Sequence, residues 1–425
     1  MSALLFLSVL LVLIALGMPI AFALLFSGVG LMLQMDQFDS QIVVQNAIGG
    51  ADNFVLMAVP FFILAGEFMN AGGLSRRIVE MAGAFVGHLR GGLGYVAIFA
   101  AILLASLSGS AVADTAALAA ILVPMMRQAG YDPERACGLM AAGGIIAPVI
   151  PPSIGFLLFG VVANLSITRL FLAGIMPGVM MGGSLVIAWW LVSRRASVQV
   201  APRTPWPERL ALLGKGFWAL MLPVIIIGGL KFGIFTPTEA AVVAAAYALF
   251  VGAAIYRELT PAAVYHCLLV TARTTAVVLL LASLAMVASY MITIADIPGQ
   301  VGGWLSVLGD SPLALTAAMM LVVFLSGMVL DFIPIVLIFT PVFLPIVTAA
   351  GIDPIYFGVI FIINCSLGMI TPPVGVVLNV VGSIGKITLA QAARGVMPFL
   401  LAELAVLLAL VLFPALVTVP AGWWR

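Results

Sequence analysis

Charge is what this chain has least of. Of its 425 residues only 8% are Asp, Glu, Lys or Arg, against about 25% in an average soluble domain. So few charges cannot solvate a chain that is 64% hydrophobic, which excludes a water-soluble enzyme or binding module. The net charge of +1 comes with no basic run, so nothing offers a nucleic-acid backbone a footprint. Cysteine is also scarce. Cys137, Cys267 and Cys365 stand far apart in apolar segments, without metal-ligand spacing or the even number of a disulfide framework. The GxxxxGK[ST] phosphate loop of a primary pump is missing, as are the HExxH, GxSG and GxGD patterns of intramembrane proteases. The chain is not expected to be an enzyme.

Long apolar runs are present instead. A bilayer core takes roughly 20 apolar residues per helix. By that measure full crossings are expected near 4–33, 53–72, 136–164, 170–193, 210–231, 238–256, 262–293, 354–384 and 396–419. The first of these has no basic leader and is read as one retained spanning helix. Two more apolar stretches, 93–126 and 312–349, are interrupted by small residues, an Asp or prolines, and are read as re-entrant hairpins. With the N-terminus in the cytoplasm, Arg76, Arg77, Arg90, Arg127, Arg135, Arg194, Arg195, Arg203, Arg209, Lys215, Arg257, Lys386 and Arg394 share the cytoplasmic face. Arg169, Lys231 and Arg425 fall opposite, and thirteen against three is the bias of positive-inside loops. Trp423 and Trp424 suit an interfacial anchor.

Proline punctuates the apolar runs twice in the same way. "GGIIAPVIPPSIGFLLFG" (143–160) and "GMITPPVGVVLNVVG" (368–382) each place a Pro-Pro pair where a straight helix would run. Adding 221 carries Asp132-Pro133 to Asp353-Pro354, Pro151-Pro152 to Pro372-Pro373, and "GIMP" (174–177) to "GVMP" (395–398). Upstream an offset of 217 carries Asp114 to Asp331 and Pro124 to Pro341. These matches imply a duplication, and the charge bias makes the copies inverted. The expected architecture is an all-α polytopic membrane protein of two inverted repeats. Residues 1–193 hold the first hairpin and the broken helix 136–164, 194–216 form a cytoplasmic linker, and 217–425 hold the second hairpin and the broken helix 354–384. Inverted repeats with discontinuous helices are the pattern of secondary transporters. Freed helix N-termini suit a carboxylate, and freed carbonyls suit Na⁺.

"LASLSGSAVADTAAL" (104–118) offers Ser106, Ser108, Ser110 and Thr115 around Gly109, with Asp114 at membrane depth. An intramembrane carboxylate marks a functional site by default, against the alternative of small-residue helix packing with Asp114 capping the hairpin's second helix. "LSGMVLDFIP" (325–334) repeats Ser326, Gly327 and Asp331 in the same order, and Asn364, Ser366, Thr371 and Asn379 flank the second break. No Lys or Arg lies in either tip or break. "TPTE" (236–239) reads as a capping box.

The chain resembles the large membrane subunit of tripartite ATP-independent periplasmic (TRAP) transporters over about residues 10–415. The resemblance rests on "PFFILAGEFMNAGG" (60–73), "SLSGSAVADTAAL" (106–118), "IPPSI" (150–154), "TPTEAA" (236–241) and "TPPVG" (371–375). It implies sodium-coupled import of an organic acid by an elevator movement, in a bacterial cytoplasmic membrane. It also implies two partners, a separate small four-helix membrane subunit and a soluble extracytoplasmic binding protein. Carried over, one Na⁺ site would use Ser108, Ala147, Ile150 and Pro152, and a second Gly327, Gly368, Thr371 and Val374. Relatives commonly carry Gly before the first "IPP" where this chain has "APVIPP". Substrate contacts would fall on Ser110, Asp114, Asp331 and Asn364. A stand-alone dicarboxylate-type or arsenite-type carrier of related architecture is the competing reading.

Overall fold

A computed structural model describes residues 2–194, 202–305 and 311–422. Most of the linker expected at 194–216 is described, but its residues 195–201, and Trp423 and Trp424 at the end, lie outside these ranges. Every described element is helical. The first half runs α1 (Ser2–Ala15), α2 (Ile20–Gln34), α3 (Ser40–Ala51), a 3₁₀ turn Phe54–Met57 leading into α4 (Ala58–Ala71), α5 (Leu74–Val86), α6 (Gly92–Ser108), α7 (Ala111–Gln128), α8 (Pro133–Gly144), α9 (Ile154–Val162) and α10 (Ile167–Ser193). The second runs α11 (Trp206–Lys231), α12 (Pro237–Phe250) with a π turn Val251–Ile255, α13 (Pro261–Ile294), α14 (Ile297–Leu305), α15 (Pro312–Gly327), α16 (Phe332–Ala349), α17 (Pro354–Gly368), α18 (Val376–Gly385), α19 (Leu389–Leu412) and α20 (Ala415–Gly422).

The starts of these helices are written in the sequence. Asp132, Asp353, Thr236 and Thr260 each precede a proline at the first helical position and accept a hydrogen bond from the first turn. Such caps satisfy donors that hydrocarbon would leave bare. The "TPTE" capping box forms as read, with Glu239 returning a bond to the Thr236 N–H at 2.8 Å.

Among the described residues, seven helical segments are long and apolar enough to cross a bilayer. Two expected crossings differ from the reading above. The run 4–33 is two helices, because Gly17 takes φ +83° and Pro19 cannot donate, so the chain turns at 16–19 and α2 packs back on α1. The run 396–419 begins earlier, at Leu389, and stops at Leu412, where Pro414 prevents continuation into α20. The stretches 93–126 and 312–349 are helical hairpins, α6–α7 and α15–α16, each with its two helices in contact. Both Pro-Pro stretches interrupt a helix as expected, separating α8 from α9 and α17 from α18.

Two sets of helices pack around this core. In one, α4 lies on α12, α5 on α11, and α13 against α2, α3 and α4. In the other, α8 lies on α19, α7 on α8 and α18, and α15 on α17. Charges gather at helix ends. Glu258 receives Arg76 at 2.7 Å and Arg77 at 2.8 Å, and Arg77 also lies 3.7 Å over the Tyr256 ring. Arg135 donates to the carbonyls of Arg394 and Gly395, so the starts of α8 and α19 share an end.

Glycine sets the closest approach between helices. A Cβ on Gly138 of α8 would strike the Gly395 backbone of α19, whereas one on Gly183 of α10 would meet open space. Gly138→Ala should therefore lower the thermal stability of the purified chain, since overpacking costs about 1–3 kcal/mol. Gly183→Ala should leave it unchanged or raise it slightly, because Ala is the better helix former. Equal melting temperatures for both variants would contradict this account of the α8–α19 contact.

Candidate functional site

The first hairpin turns at Gly109, whose φ of +64° suits only a residue without a side chain. A Cβ there would also strike the Pro152 carbonyl, so the tip rests on the first break. Ser110 caps α7, accepting from Ala113 N–H at 3.4 Å, and its own N–H donates to Ser108 Oγ at 3.1 Å. Ser108 Oγ donates to Asp114 Oδ1 at 2.5 Å. The other Asp114 oxygen and the Thr115 hydroxyl are buried without a partner among the described residues.

The first break continues α8 as tight turns through Ile146 and Ala147 and ends when Ser153 caps α9. Ser153 Oγ donates to the Pro148 carbonyl and accepts from Phe156 N–H at 3.1 Å. Among the described residues, the carbonyls of Ala147, Ile150 and Pro152 accept no hydrogen bond. These three carbonyls and the Ser108 hydroxyl, which donates to Asp114 and accepts from Ser110 N–H, are the oxygens that the first break and the first tip offer.

The second hairpin is built differently. Gly327 faces Gly368 so closely that a Cβ on Gly368 would lie 2.6 Å from the Gly327 Cα. Val374 N–H donates to the Met328 carbonyl at 3.3 Å, tying the second break to the second tip. Gly327, Gly368, Thr371 and Val374 are thus brought together at one tip and break. Two of their carbonyls are already engaged, Gly368 by Thr371 N–H at 3.0 Å and Val374 by Asn379 Nδ2 at 2.9 Å. The Thr371 hydroxyl donates to Leu367 at 2.7 Å.

Both tips and both breaks meet at one cleft of about 110 Å³. Ser110 and Asp331 line it together with Pro148, Ile154, Phe332 and Met369. Three helices begin on its wall: α7 at Ala111, α9 at Ile154 and α16 at Phe332. Among the described residues, the N–H groups of Ala111, Val112, Ile154 and Ile333 have no acceptor. Unpaired N–H groups at helix N-termini are able to donate to an anion. Among the described residues, the one ionisable group on the wall is Asp331, exposed, with Oδ1 accepting from Phe332 N–H at 2.8 Å.

Asp114 and Asn364 stand behind this cleft rather than on it. Asp114 is buried under the first tip, and Asn364 binds α17 to α15 by donating to the Met320 carbonyl at 2.5 Å, its Oδ1 without a partner among the described residues. The sequence reading did not single out Ile154 and Ile333, whose signal was the Ser153 cap and the Asp331 cap preceding them. Glu403 on α19, fully buried with neither oxygen partnered among the described residues, belongs to no part of the cleft described here.

Residues 7–416 match the family described as "Tripartite ATP-independent periplasmic transporter, DctM component". The chain is 54% identical, over the whole of both proteins, to the 2,3-diketo-L-gulonate TRAP transporter large permease protein YiaN of Escherichia coli. It is 37% identical to the sialic acid TRAP transporter large permease protein SiaM of Vibrio cholerae, covering 94% of this chain and 93% of that one. It is 36% identical to the C4-dicarboxylate TRAP transporter large permease protein DctM of Pseudomonas aeruginosa, covering 88% and 87%. Among solved structures, the Alcanivorax borkumensis YdaH transporter superimposes with a TM-score of 0.65 at 17% identity over 88% of this chain and 87% of that one, a likeness of fold alone.

The Ser108–Asp114 bond yields a direct test. Ser108→Ala removes the one hydrogen bond that the Asp114 carboxylate makes among the described residues and should destabilise the chain by about 1–3 kcal/mol, the usual cost of an orphaned buried polar group. Adding Asp114→Ala should recover part of that loss in a double-mutant cycle. Strictly additive losses would show that the two side chains do not interact.

Proposed function

The chain belongs to the family of large membrane subunits of tripartite ATP-independent periplasmic transporters, and we propose that it imports a small organic acid together with Na⁺. The observation that carries this reading is the set of unpaired N–H groups from three helix starts around one cleft. A carboxylate placed there accepts those bonds without any Lys or Arg. Ser110 can donate a hydroxyl hydrogen bond and Asp331 can accept from substrate hydroxyls, a pairing that favours a hydroxylated monocarboxylate and repels a second carboxylate. The named cargo of the 54%-identical relative, 2,3-diketo-L-gulonate, is of that kind.

The free carbonyls of Ala147, Ile150 and Pro152 with Ser108 would hold one sodium ion, and Gly327, Gly368, Thr371 and Val374 a second. Bound sodium supplies the positive charge that the walls of the cleft lack. In this reading the two halves are inverted repeats, and the tips with their breaks form the body that carries substrate across by an elevator movement. The helices α4, α5, α11 and α12 stay fixed against a small four-helix subunit. The N-terminus lies in the cytoplasm, and a soluble binding protein delivers the acid from the other side.

Two measurements test this. Liposomes holding the chain alone should take up no labelled sugar acid. Adding the small subunit, the loaded binding protein and an inward Na⁺ gradient should restore uptake. Uptake by the lone chain would instead identify a stand-alone carrier. Within the complete complex, Ala111→Pro deletes one cleft N–H at a helix position that tolerates proline. Uptake should fall severalfold with assembly intact, and Ala111→Gly, which restores the N–H, should recover most of it. Normal uptake by the proline variant would remove the N–H groups from the anion site.

A further inference from the structure

Among the described residues, one cation is buried without a counter-ion. Arg209 near the start of α11 is only 6% exposed, and its Nε and Nη2 are buried with no acceptor. No ion pair among the described residues includes it. Helical side chains lean toward the helix start, and here the guanidinium carbon lies 5.5 Å from the ring centroid of Trp206, the first residue of α11. It lies 6.0 Å from the ring of Phe85 in the last turn of α5. The guanidinium is thus aimed back over the open end of α11. Pro205 gives that end no side-chain cap, and the N–H groups of Trp206 and Glu208 have no acceptor among the described residues. Both rings against the guanidinium are themselves exposed, so a ligand can reach it by moving side chains alone. Glu208 opposes an anion there, but it is exposed, and the exposed Arg203 stands two residues before Pro205.

We propose that this helix start binds the phosphate of a phospholipid, with an acyl chain laid along α11. A cation withdrawn from water needs a counter-ion, and phosphate meets a guanidinium with two parallel bonds. Depth argues for lipid as the source. α11 is long and apolar enough to span the bilayer, so Arg209, within a turn of its first residue, stands at the hydrocarbon edge where headgroup phosphates lie. The neighbouring surface agrees. Trp206, Leu210, Leu213 and Phe217 are all exposed and recur at the spacing of one helix face, an apolar track that begins beside the guanidinium. A free anion would leave that track bare. None of these residues lines the cleft between the tips, so the site is independent of the cargo.

The test is native mass spectrometry of the purified full chain released from detergent with added phosphatidylglycerol. The wild type should retain a lipid that diacylglycerol, with the same chains and no phosphate, does not replace. Arg209→Met removes the charge at similar volume and should weaken retention about tenfold, the loss of one charge-assisted hydrogen bond. Arg209→Lys keeps the charge without the fork and should fall between the two. Lys215→Gln, which removes an exposed cation of the same helix, should match the wild type. In lipid-free detergent Arg209→Met should melt no lower than the wild type, since an unpaired buried charge stabilises nothing. A lower melting temperature would show the guanidinium to be compensated within the chain and would overturn the proposal. Unchanged retention in Arg209→Met would overturn it, and so would an equal loss in Lys215→Gln, which would reduce the effect to diffuse charge. Release of the lipid by millimolar inorganic phosphate would overturn it by assigning the site to the free ion. Loss in Arg209→Met seen only with the small subunit present would do the same, by assigning the guanidinium to a carboxylate of that protein.

Discussion

Everything in this fold follows from one constraint: a backbone N–H or C=O left unpaired in hydrocarbon costs several kcal/mol. A chain with so little charge can afford interruptions only where protein closes around them. It makes four, at two hairpin tips and two Pro-Pro breaks, and packs all of them against each other. Local caps then satisfy part of what was exposed. Ser153 takes two bonds at the start of α9, and Ser110 and Asp331 begin α7 and α16. The groups that caps do not reach are the N–H groups facing the cleft and the carbonyls of the first break. In the proposed function, the binding chemistry is what remains after the fold has satisfied everything else.

The two halves reach this arrangement by different local means. Asp114 and Asp331 correspond at an offset of 217, yet one is buried and the other exposed. The difference begins at the cap. Ser110, directly after Gly109, caps α7, whereas in the second hairpin the cap of α16 is Asp331 itself. The second helix therefore begins only after Asp331, at Phe332. Asp114 is left inside its helix, held by Ser108, while Asp331 stands at the helix start on the cleft wall.

Much of this was legible in the chain, because proline, aspartate and threonine act locally. Asp-Pro and Thr-Pro mark helix starts wherever they occur, and Pro-Pro pairs mark breaks, so the hairpins and broken helices could be placed from sequence. The first crossing was misread for a physical reason. The residues "LGMP" at 16–19 are apolar, so hydropathy runs straight through a turn that the positive φ of Gly17 creates. The cleft was half legible. Ser110 and Asp331 stood out by residue type, but the unpaired N–H groups of Ile154 and Ile333 carry no side-chain signature. They become a site only through tertiary packing, as when Phe332 closes on Gly155 at the start of α9.

The absence of Lys and Arg from the cleft wall bears on coupling in the proposed mechanism. A fixed lysine would hold an organic anion whether or not sodium was present, and import would lose its dependence on the ion gradient. Helix N-termini offer only about half a charge each, and the nearby Asp331 opposes them. The anion then binds well only when mobile cations occupy the oxygen sets beside the tips. By reciprocity the anion strengthens sodium binding by the same factor. A site poor in permanent positive charge makes each ligand the condition for the other, which is what symport requires of a chain with almost no charge to spend.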